Sequence, residues 1–393
     1  MTYVCRTCQT GQIYPNLIMN VTICHGENPY SNAYKALESI SFPDLKDKKV
    51  LLKPNAGRKV KPGKGITTEP EVVAAACDFF EELGCYVSVG ESPILGVTAL
   101  ECLEESGIAE VVRLRGIPLI DLDELPATKT EIKDGEVLKF LAVCGAVKEF
   151  DYIVSIPVLK THMHCDVSLS LKNMKGCLRG REKVRLHQLP PPKEKTEEKT
   201  LNIAIADLST ILKPDLALID GTVGMEGLGP SAGTQKKMSL VLSSTDYLSA
   251  DAVAAALMGF DPIAIPHLRL AAERAGRKLN LDEINISPSN WKDLVNSFER
   301  SPKEISIEFP DVEILDKESC SACQSTLLLF LKRYYNEIGD YLPAKFAIGK
   351  GHEPLEDGVF CIGNCTIKSK GGNLVVKGCP PVASDILNFI TKK

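Results

Sequence analysis

The 393-residue chain lacks an apolar run long enough to cross a bilayer, since a spanning helix needs about 20 consecutive apolar residues. It also lacks an excess of positive charge, because 46 Lys and Arg face 51 Asp and Glu for a net charge of -5. Its first residues, MTYVCRTCQTGQIYPN, have neither the basic start nor the apolar stretch of a signal peptide. These absences argue against membrane, secreted and nucleic-acid-binding proteins and predict a cytoplasmic location.

Two common nucleotide-binding signatures are missing as well. No GxxxxGK[ST] run follows a strand, and the glycine-rich stretch from Asp220 to Pro230 is no dinucleotide fingerprint, because no helix clearly opens after it. Fourteen cysteines without an export signal argue against a disulfide framework, because reducing compartments keep thiols free. One close pair, Cys5 and Cys8, lies in a polar leader. The remaining cysteines must be judged by their grouping.

Short apolar runs alternate with helical patterns from Lys48 onward. The runs typical of buried strands are VLLKPN, CYVSVGES, IPLIDLDE, DYIVSIPVLK, DLALIDG and SLVLSS. The stretch TTEPEVVAAACDFFEELG predicts a helix with Thr68 as its N-cap, Pro70 in its first turn and Gly84 beyond its end. Buried strands that alternate with helices predict an α/β fold, with a mostly parallel sheet and helices on both faces.

The chain divides into three predicted segments, and its 44% hydrophobic content is ample for real cores. Residues 1 to 18 form a tail, and residues 19 to 300 form the α/β domain. Residues 301 to 393 differ in kind, with one amphipathic helix predicted at residues 325 to 338 and a series of glycine-rich turns. Such a segment is short of regular core, and a bound metal would compensate for that.

Five cysteines are concentrated in this last segment. Cys320 and Cys323 form a CxxC pair, Cys361 and Cys365 follow, and Cys379 directly precedes two prolines. A two-residue spacer lets two thiolates reach one ion or cluster, and a proline directly after the last cysteine is common in iron-sulfur proteins. We expect Cys320, Cys323, Cys365 and Cys379 to hold a 4Fe-4S cluster, with Cys361 in reserve. Zinc is the alternative, since four thiolates also suit tetrahedral zinc.

Polar residues recur where the predicted strands end. They are Lys53, Asn55, Glu91, Ser92, Asp121, Asp123, Lys160, His162 and Asp220. Ligands of doubly wound sheets bind outside the carboxyl ends of the strands. Lysine and asparagine suit a phosphate or carboxylate, whereas the acids suit a divalent cation or a proton transfer. Solvated loops and helix caps are the plain alternative for any one of these residues.

The glycine-rich stretch follows one of these strands directly. Its glycines would let backbone N–H groups approach a ligand, with Glu226 facing that ligand. By itself this is weak evidence for a phosphate site.

The stretch KTHMHCDVSLSLKNMKG, residues 160 to 176, holds two of the six histidines. If it is extended, alternate residues share one face. That face would carry His162, His164, Asp166, Ser168, Ser170 and Lys172. A metal site and a half-exposed polar strand are both possible. We favour a third interpretation, in which Lys160, His162, Lys172 and Asn173 form one wall of an anion or substrate pocket.

Several motifs carry a family resemblance, and they run in order from Val50 to Pro262. They are VLLKPN, SIPVLKTH with VSLSLKNMKG, IAIADL, LIDGTVGMEGLGPSAG and DYLSADAVAAALMGFDP. In this order they resemble the domain of unknown function 362 (DUF362) family, described as uncharacterised iron-sulfur centre proteins. Members often carry cysteine-rich iron-sulfur segments, so the resemblance implies that cofactor. The chain has none of the paired CxxCxxCxxxC runs of some members, which leaves a single cluster bound by scattered cysteines.

The leading hypothesis is a redox protein that binds an anionic small molecule beside a 4Fe-4S cluster, with a redox partner such as a ferredoxin. The candidate catalytic residues are His162, His164, Lys160 and Lys172. The candidate substrate-binding residues are Lys53, Asn55, Asn173, Asp220 and Glu226. Two other functions stay open, namely a non-redox ligase or phosphotransferase with a structural zinc, and a carrier of clusters.

Overall fold

The structure is a computed structural model that describes residues 19–94, 96–190, 192, 196–301 and 309–391. The predicted tail, with Cys5 and Cys8, lies outside the described residues. Most of the chain from Met19 to Ser287 is built on one large mixed sheet, and a second, smaller sheet follows between Val312 and Val376.

The strands are β1 (Met19–His25), β2 (Lys49–Pro54), β3 (Tyr86–Glu91), β4 (Leu119–Asp121), β5 (Thr128–Glu131), β6 (Phe140–Val143), β7 (Tyr152–Ile156), β8 (Val158–His162), β9 (Asp166–Ser168), β10 (Leu216–Glu226), β11 (Thr234–Ser244), β12 (Ile284–Ser287), β13 (Val312–Asp316), β14 (Ala344–Ile348), β15 (Val359–Ile362) and β16 (Val375–Val376). The helices are α1 (Pro29–Glu38), α2 (Pro70–Glu82), α3 (Ala99–Glu105), α4 (Ile108–Arg113), α5 (Ser170–Asn173), α6 (Glu182–Arg185), α7 (Thr200–Ser209), α8 (Tyr247–Leu257), α9 (Pro266–Arg274), α10 (Ser321–Tyr334) and α11 (Ala383–Thr391).

The large sheet has the strand order β12-β1-β11-β10-β7-β2-β3-β4, with β8 paired to β10 and β9 paired to β8. The strands from β10 to β4 run parallel, whereas β11 is antiparallel to both β10 and β1. Both faces of this sheet are covered by apolar residues. In β2, Val50 and Leu52 join one core cluster and Leu51 joins the other, because successive side chains point to opposite faces. The predicted α/β fold with a mostly parallel sheet is confirmed.

The start of α2 corrects one detail of the sequence analysis. The N-cap is Glu69, and Thr68 does not cap the helix. The hydroxyl of Thr68 instead donates to the carbonyl of Ile156 at 2.6 Å and accepts from the N–H of Asn55 at 2.8 Å. Thr68 therefore joins the ends of β2 and β7.

The stretch rich in histidine is not one extended strand, so its alternate residues do not share a single face. The chain turns after β8 and returns antiparallel as β9, which places His162 opposite Asp166. It then enters α5, whose first N–H groups, those of Ser170 and Leu171, donate to the buried carboxylate of Asp251 at 2.8 and 2.9 Å. The chain thus changes direction twice between the strand that holds His162 and the helix that holds Lys172.

Most of the glycine-rich stretch is strand, and only its last residue, Pro230, lines the cavity described below. Residues 220 to 226 continue β10, which forms an antiparallel pair with β11. A Cβ atom on Gly224 would lie 2.8 Å from the carbonyl oxygen of Leu159 in β8. Glycine is needed there because β8 pairs so closely with β10.

The C-terminal segment has a regular core, contrary to expectation. Four parallel strands in the order β13-β14-β15-β16 pack with α10 and α11 around buried residues that include Leu327, Phe330, Phe346, Ile362 and Ile386. The strands are too short to show a clear pattern in the sequence, and the glycine turns between them obscured the layering. Helix α10 also begins earlier than predicted, since Cys320 is its N-cap.

Candidate functional site

A cavity of about 490 Å³ lies between the carboxyl ends of β2, β3 and β8 and the C-terminal segment. Its basic side chains are Lys53, Arg58, Lys160, Lys172, Lys175, Lys183 and Arg333. Glu91 is the only acidic side chain among the described residues that line it. A concave site with converging polar groups is the usual form of a small-molecule site, and the charge of this one suits an anion.

Lys53 is the most deeply buried of these cations and is already neutralised. Its Nζ lies 2.8 Å from Oε1 of Glu91, and the two side chains are 0% and 1% exposed. The same Nζ donates to the carbonyl of Pro54 at 2.9 Å and to Oδ1 of Asn173 at 3.3 Å. Asn173 in turn donates to the carbonyl of Lys53 at 3.1 Å. Lys53 and Asn173 both line the cavity as predicted, but their polar atoms mostly hold each other in place.

Lys160 follows the same edge of the sheet. Its Nζ donates to the carbonyl of Ile66 at 2.8 Å and to Oδ1 of Asn55. Burial, together with the charges of Lys172 and Arg58, lowers the pKa of Lys160 to about 7. The predicted pair of Lys160 and Asn55 is therefore in contact, and both residues line the cavity.

Three further cations have no counter-charge. Lys172, Arg58 and Arg333 line the cavity, and none of them has a hydrogen-bond or ion-pair partner in the described part of the chain. Burial lowers the pKa of Lys172, and burial together with the charge of Arg333 lowers the pKa of Arg58. An anion bound among them would relieve this repulsion.

Two histidines reach the cavity, but only one of them was predicted. His162, at the end of β8, lines the cavity and accepts the N–H of His164 at its Nδ1, at 3.1 Å. Burial and the charge of Lys172 hold the pKa of His162 well below its usual value, so the ring is neutral. His164 is not among the residues that line the cavity. The second lining histidine is His187, whose Nε2 lies 2.7 Å from Nζ of Lys175.

Asp220 and Glu226 do not reach the cavity. The carboxylate of Asp220 accepts the N–H of Glu69 at 2.8 Å and that of Thr222 at 2.9 Å. The carboxylate of Glu226 lies 2.9 Å from Nζ of Lys236 across the hairpin. Asp220 therefore holds the start of α2, and Glu226 holds the hairpin that β10 forms with β11.

Four of the five predicted cysteine ligands lie close enough to influence each other. The charges of Cys320, Cys365 and Cys379 all raise the pKa of Cys323, after the hydrogen bond that Cys323 donates to Cys320. Cys365 is likewise affected by Cys320 and Cys379. Cys361 is the exception. It lies within β15, where it pairs with Ala347 and Val375, and burial raises its pKa.

The surroundings of these thiols suit thiolate ligands. Cys320 receives hydrogen bonds from the thiol of Cys323 and from the N–H groups of Cys323 and Ala322 at the start of α10, which lowers its pKa to about 6. Gly363 has a φ of +89°, and a Cβ there would lie 3.2 Å from Sγ of Cys323. A glycine beside the thiols thus leaves room that a side chain would fill. In the described residues no group of three or more His, Cys, Asp or Glu stands as a site for a metal ion.

Sequence reasoning missed five lining residues with a basic side chain, namely Arg58, Lys175, Lys183, His187 and Arg333. A signal existed for Lys175, because it follows Lys172 by three residues and a short helix would put both on one side. Arg58 follows Asn55 by three residues in the same loop. His187 and Arg333 gave no such signal, since each reaches the cavity from a distant segment.

Comparisons with known proteins relate the chain to a family and to other proteins. The model of a family described as "Domain of unknown function (DUF362)" matches residues 50–256. The "Thylakoid-associated protein sll1697" of Synechocystis sp. is 27% identical over 247 residues, which cover 63% of this chain and 74% of that protein.

Among solved structures, the lactate racemase apoprotein from Thermoanaerobacterium thermosaccharolyticum aligns with a TM-score of 0.41 and 11% identity. The alignment covers 61% of this chain and 57% of the racemase chain. Within the described ranges, no helix is both long and apolar enough to cross a membrane.

Proposed function

The chain belongs to the DUF362 family, and on that premise we propose that it is a 4Fe-4S redox protein that acts on an anionic small molecule. The cluster would be held by Cys320, Cys323, Cys365 and Cys379. The anion would bind in the cavity at the strand ends, beside the cluster.

One observation carries the proposal, namely that Cys379 lies near the other candidate ligands and also lines the cavity. Its charge acts on Cys323 and Cys365, and the residue also lines the basic cavity. A ligand in the cavity would therefore lie next to a cysteine that holds the cofactor. This arrangement suits transfer of electrons between the two.

The four thiols fit an iron-sulfur cluster on their chemistry. Clusters are held by cysteine thiolates, and hydrogen bonds to the sulfurs tune their potential. Cys320 accepts N–H groups from the start of α10, and Sγ of Cys379 accepts from the side chain of Gln188 at 3.2 Å. A four-iron cluster is larger than a single ion, so its ligands need not meet in one coordination sphere. When bound, it would supply single electrons at this wall of the cavity.

The cavity supports the anionic part of the proposal through its charge. Lys53 and Glu91 cancel each other, which leaves the buried Lys172 and the half-buried Arg58 without an ion-pair partner among the described residues. Burying unpaired charges costs several kcal/mol. These residues therefore lower the stability of the folded protein unless a ligand of opposite charge is bound. His162, neutral and inside the cavity, is placed to donate or accept a proton.

Analysis of anaerobically purified, iron-replete protein tests the cofactor. We expect about four iron and four acid-labile sulfide per chain, with brown colour that bleaches when dithionite is added. Single replacements of Cys320, Cys323, Cys365 and Cys379 by serine are expected to reduce the iron content. Protein that contains stoichiometric zinc and no iron would contradict the proposal.

Cys361→Ala is the matched control for these variants. Cys361 lies in the same segment but within a strand, where its Sγ contacts the carbonyl of Val359 at 3.8 Å. We expect this variant to keep the full iron content. Loss of the cluster from Cys361→Ala, with Cys365→Ser unaffected, would show that the ligand set is wrong.

A further inference from the structure

The two sides of the cavity differ in chemistry. The side formed by the large sheet supplies every basic residue except Arg333, and it includes the buried cations Lys160 and Lys172. The side formed by the C-terminal segment supplies Arg333 as its only charged residue among those described. The first is called the basic wall and the second the apolar wall.

The apolar wall is built from one face of α10 and the turn before α11. Ala322, Ser325, Thr326, Leu329 and Arg333 follow the three-and-four spacing that puts residues on one side of a helix. They are joined there by a second run, which consists of Cys379, Pro380, Pro381 and Val382. Val382 is 57% exposed and Leu329 is half-buried, so both have surface to offer a ligand.

The basic wall holds more positive charge than one negative charge would balance. Lys53 is paired with Glu91 at 2.8 Å, and Lys183 lies 3.6 Å from Asp123. Lys172, Arg58 and Arg333 line the cavity without an ion-pair partner among the described residues. Two negative charges would balance these cations better than one.

We infer that the ligand of this cavity is an organic dianion with an apolar body, whose charged groups contact the basic wall and whose body lies against Leu329 and the Pro380 to Val382 turn. The inference rests on the proposed function, because it names the class of substrate for the same site. The volume of about 490 Å³ is in the range of small organic ligands, roughly 300 to 1,000 Å³. The apolar body would lie next to Cys379. Two carboxylates or one phosphate monoester would both supply the charge.

Calorimetry on the full-length protein tests the ligand class with five probes. Isophthalate and phenyl phosphate carry two negative charges and an aromatic ring. Succinate has two charges without a ring, and benzoate has a ring and one charge. Inorganic phosphate has no apolar body. We expect isophthalate or phenyl phosphate to bind at least about tenfold more tightly than the other three, since each missing feature removes about 1.4 kcal/mol or more. The better of the two shows whether the charge comes from carboxylates or from phosphate.

Two variants test which wall of the cavity contacts which part of the ligand. Leu329→Ser is expected to weaken the aromatic dianion about three- to tenfold and to leave succinate unchanged, because the ring loses its apolar contact. Arg58→Gln is expected to weaken both dianions and to affect benzoate less. Lys278→Gln removes one positive charge from an exposed residue outside the cavity and is expected to change nothing.

Equal affinity for inorganic phosphate or succinate and for the aromatic dianions would overturn the inference. So would a Leu329→Ser variant that weakens succinate and isophthalate alike, or a wild-type protein that binds none of the five probes. Iron analysis of the same preparations separates this outcome from a failure of the proposed function. An iron-free protein that binds isophthalate would contradict the proposed cluster and support the ligand class. An iron-sulfur protein that binds only small anions would support the cluster and contradict the ligand class.

Discussion

Nζ of Lys175 lies 2.7 Å from Nε2 of His187, and both residues line the basic cavity. Burial and the charge of Lys172 lower the pKa of Lys175 to about 7. Burial and the charge of Lys175 hold the pKa of His187 well below its usual value. The pair can therefore hold a single proton near neutral pH, which is the property that a general acid or base needs.

Lys175 is expected to react with amine reagents faster than a surface lysine. At pH 8 a pKa of about 7 leaves most of the amine neutral, whereas an exposed lysine near 10.4 is almost fully charged. Bound isophthalate would favour the charged form and slow the reaction. Competitive labelling with acetic anhydride, read by mass spectrometry, measures both effects, with Lys278 as the exposed reference. Equal labelling of Lys175 with and without isophthalate would count against an anion at this wall.

Anion affinity is expected to fall as the pH rises from 6.5 to 8.5. Lys160 and Lys175 have pKa values of about 7 in the empty cavity, and a bound dianion favours their protonated forms. Affinity is therefore greatest below pH 7 and falls as the pH passes above it, by at most about tenfold per unit for each proton taken up.

Isophthalate suits this measurement because its carboxylates stay ionised throughout the range. Calorimetry at the two pH values measures the slope, and Lys160→Met should reduce it. A flat profile in the wild-type protein would show that these lysines do not contact the anion.

Asp251 is expected to matter for ligand binding although it does not line the cavity. It accepts the first two N–H groups of α5, the helix that carries Lys172. Asp251→Ala should lower the free energy of unfolding by about 2 to 4 kcal/mol, because two buried backbone N–H groups lose their acceptor, and should weaken isophthalate binding about tenfold.

Asp207→Ala is the control for Asp251. Asp207 is equally buried and accepts the N–H groups of Glu136, Val137 and Leu138, none of which lines the cavity. We expect it to lose stability and keep its affinity. If both variants lose affinity to the same extent, the effect of Asp251 is a general loss of structure.

Acid sensitivity is expected to depend on His267. This residue is 0% exposed in α9, and neither ring nitrogen has a hydrogen-bond partner in the described residues. Burial lowers its pKa to about 3, from a usual value of 6.5. The unfolded chain therefore binds the proton more readily between these values, and stability is lost as the pH falls below 6.5.

The loss from His267 between pH 7.5 and pH 5 should be about 2 kcal/mol. Urea denaturation at the two pH values measures it, and His267→Leu should remove it. His25→Leu, at an exposed position, is the control. A His267→Leu variant as acid-sensitive as the wild-type protein would contradict the assignment.

The sequence predicted the large sheet because its strands and helices are long enough to show their periods. It predicted the positions of Lys53, Asn55, Lys160 and His162 because the carboxyl ends of parallel strands meet at one edge. It failed at Asp220, where glycines required by the close pairing of β8 and β10 looked like a ligand-binding loop. It could not place Arg333, since a helix in a separate layer brings that residue to the cavity.

The C-terminal cysteines were likewise predictable only in part from the sequence. Spacing alone favoured Cys320, Cys323, Cys365 and Cys379, and the other three lie close enough to Cys323 to raise its pKa. Spacing could not decide about Cys361, because its strand became evident only through its pairing with β14 and β16. That the cysteine segment adjoins the strand ends was not visible in any local pattern.

The most direct test of the central claim is an isophthalate titration of the dithionite-reduced protein, followed by electron paramagnetic resonance. If a cluster held by Cys379 adjoins the anion cavity, the signal of a reduced 4Fe-4S cluster should change shape and saturate at the concentration that saturates binding in calorimetry. A cluster signal that stays the same while isophthalate binds, or a reduced protein with no cluster signal at all, would contradict the account.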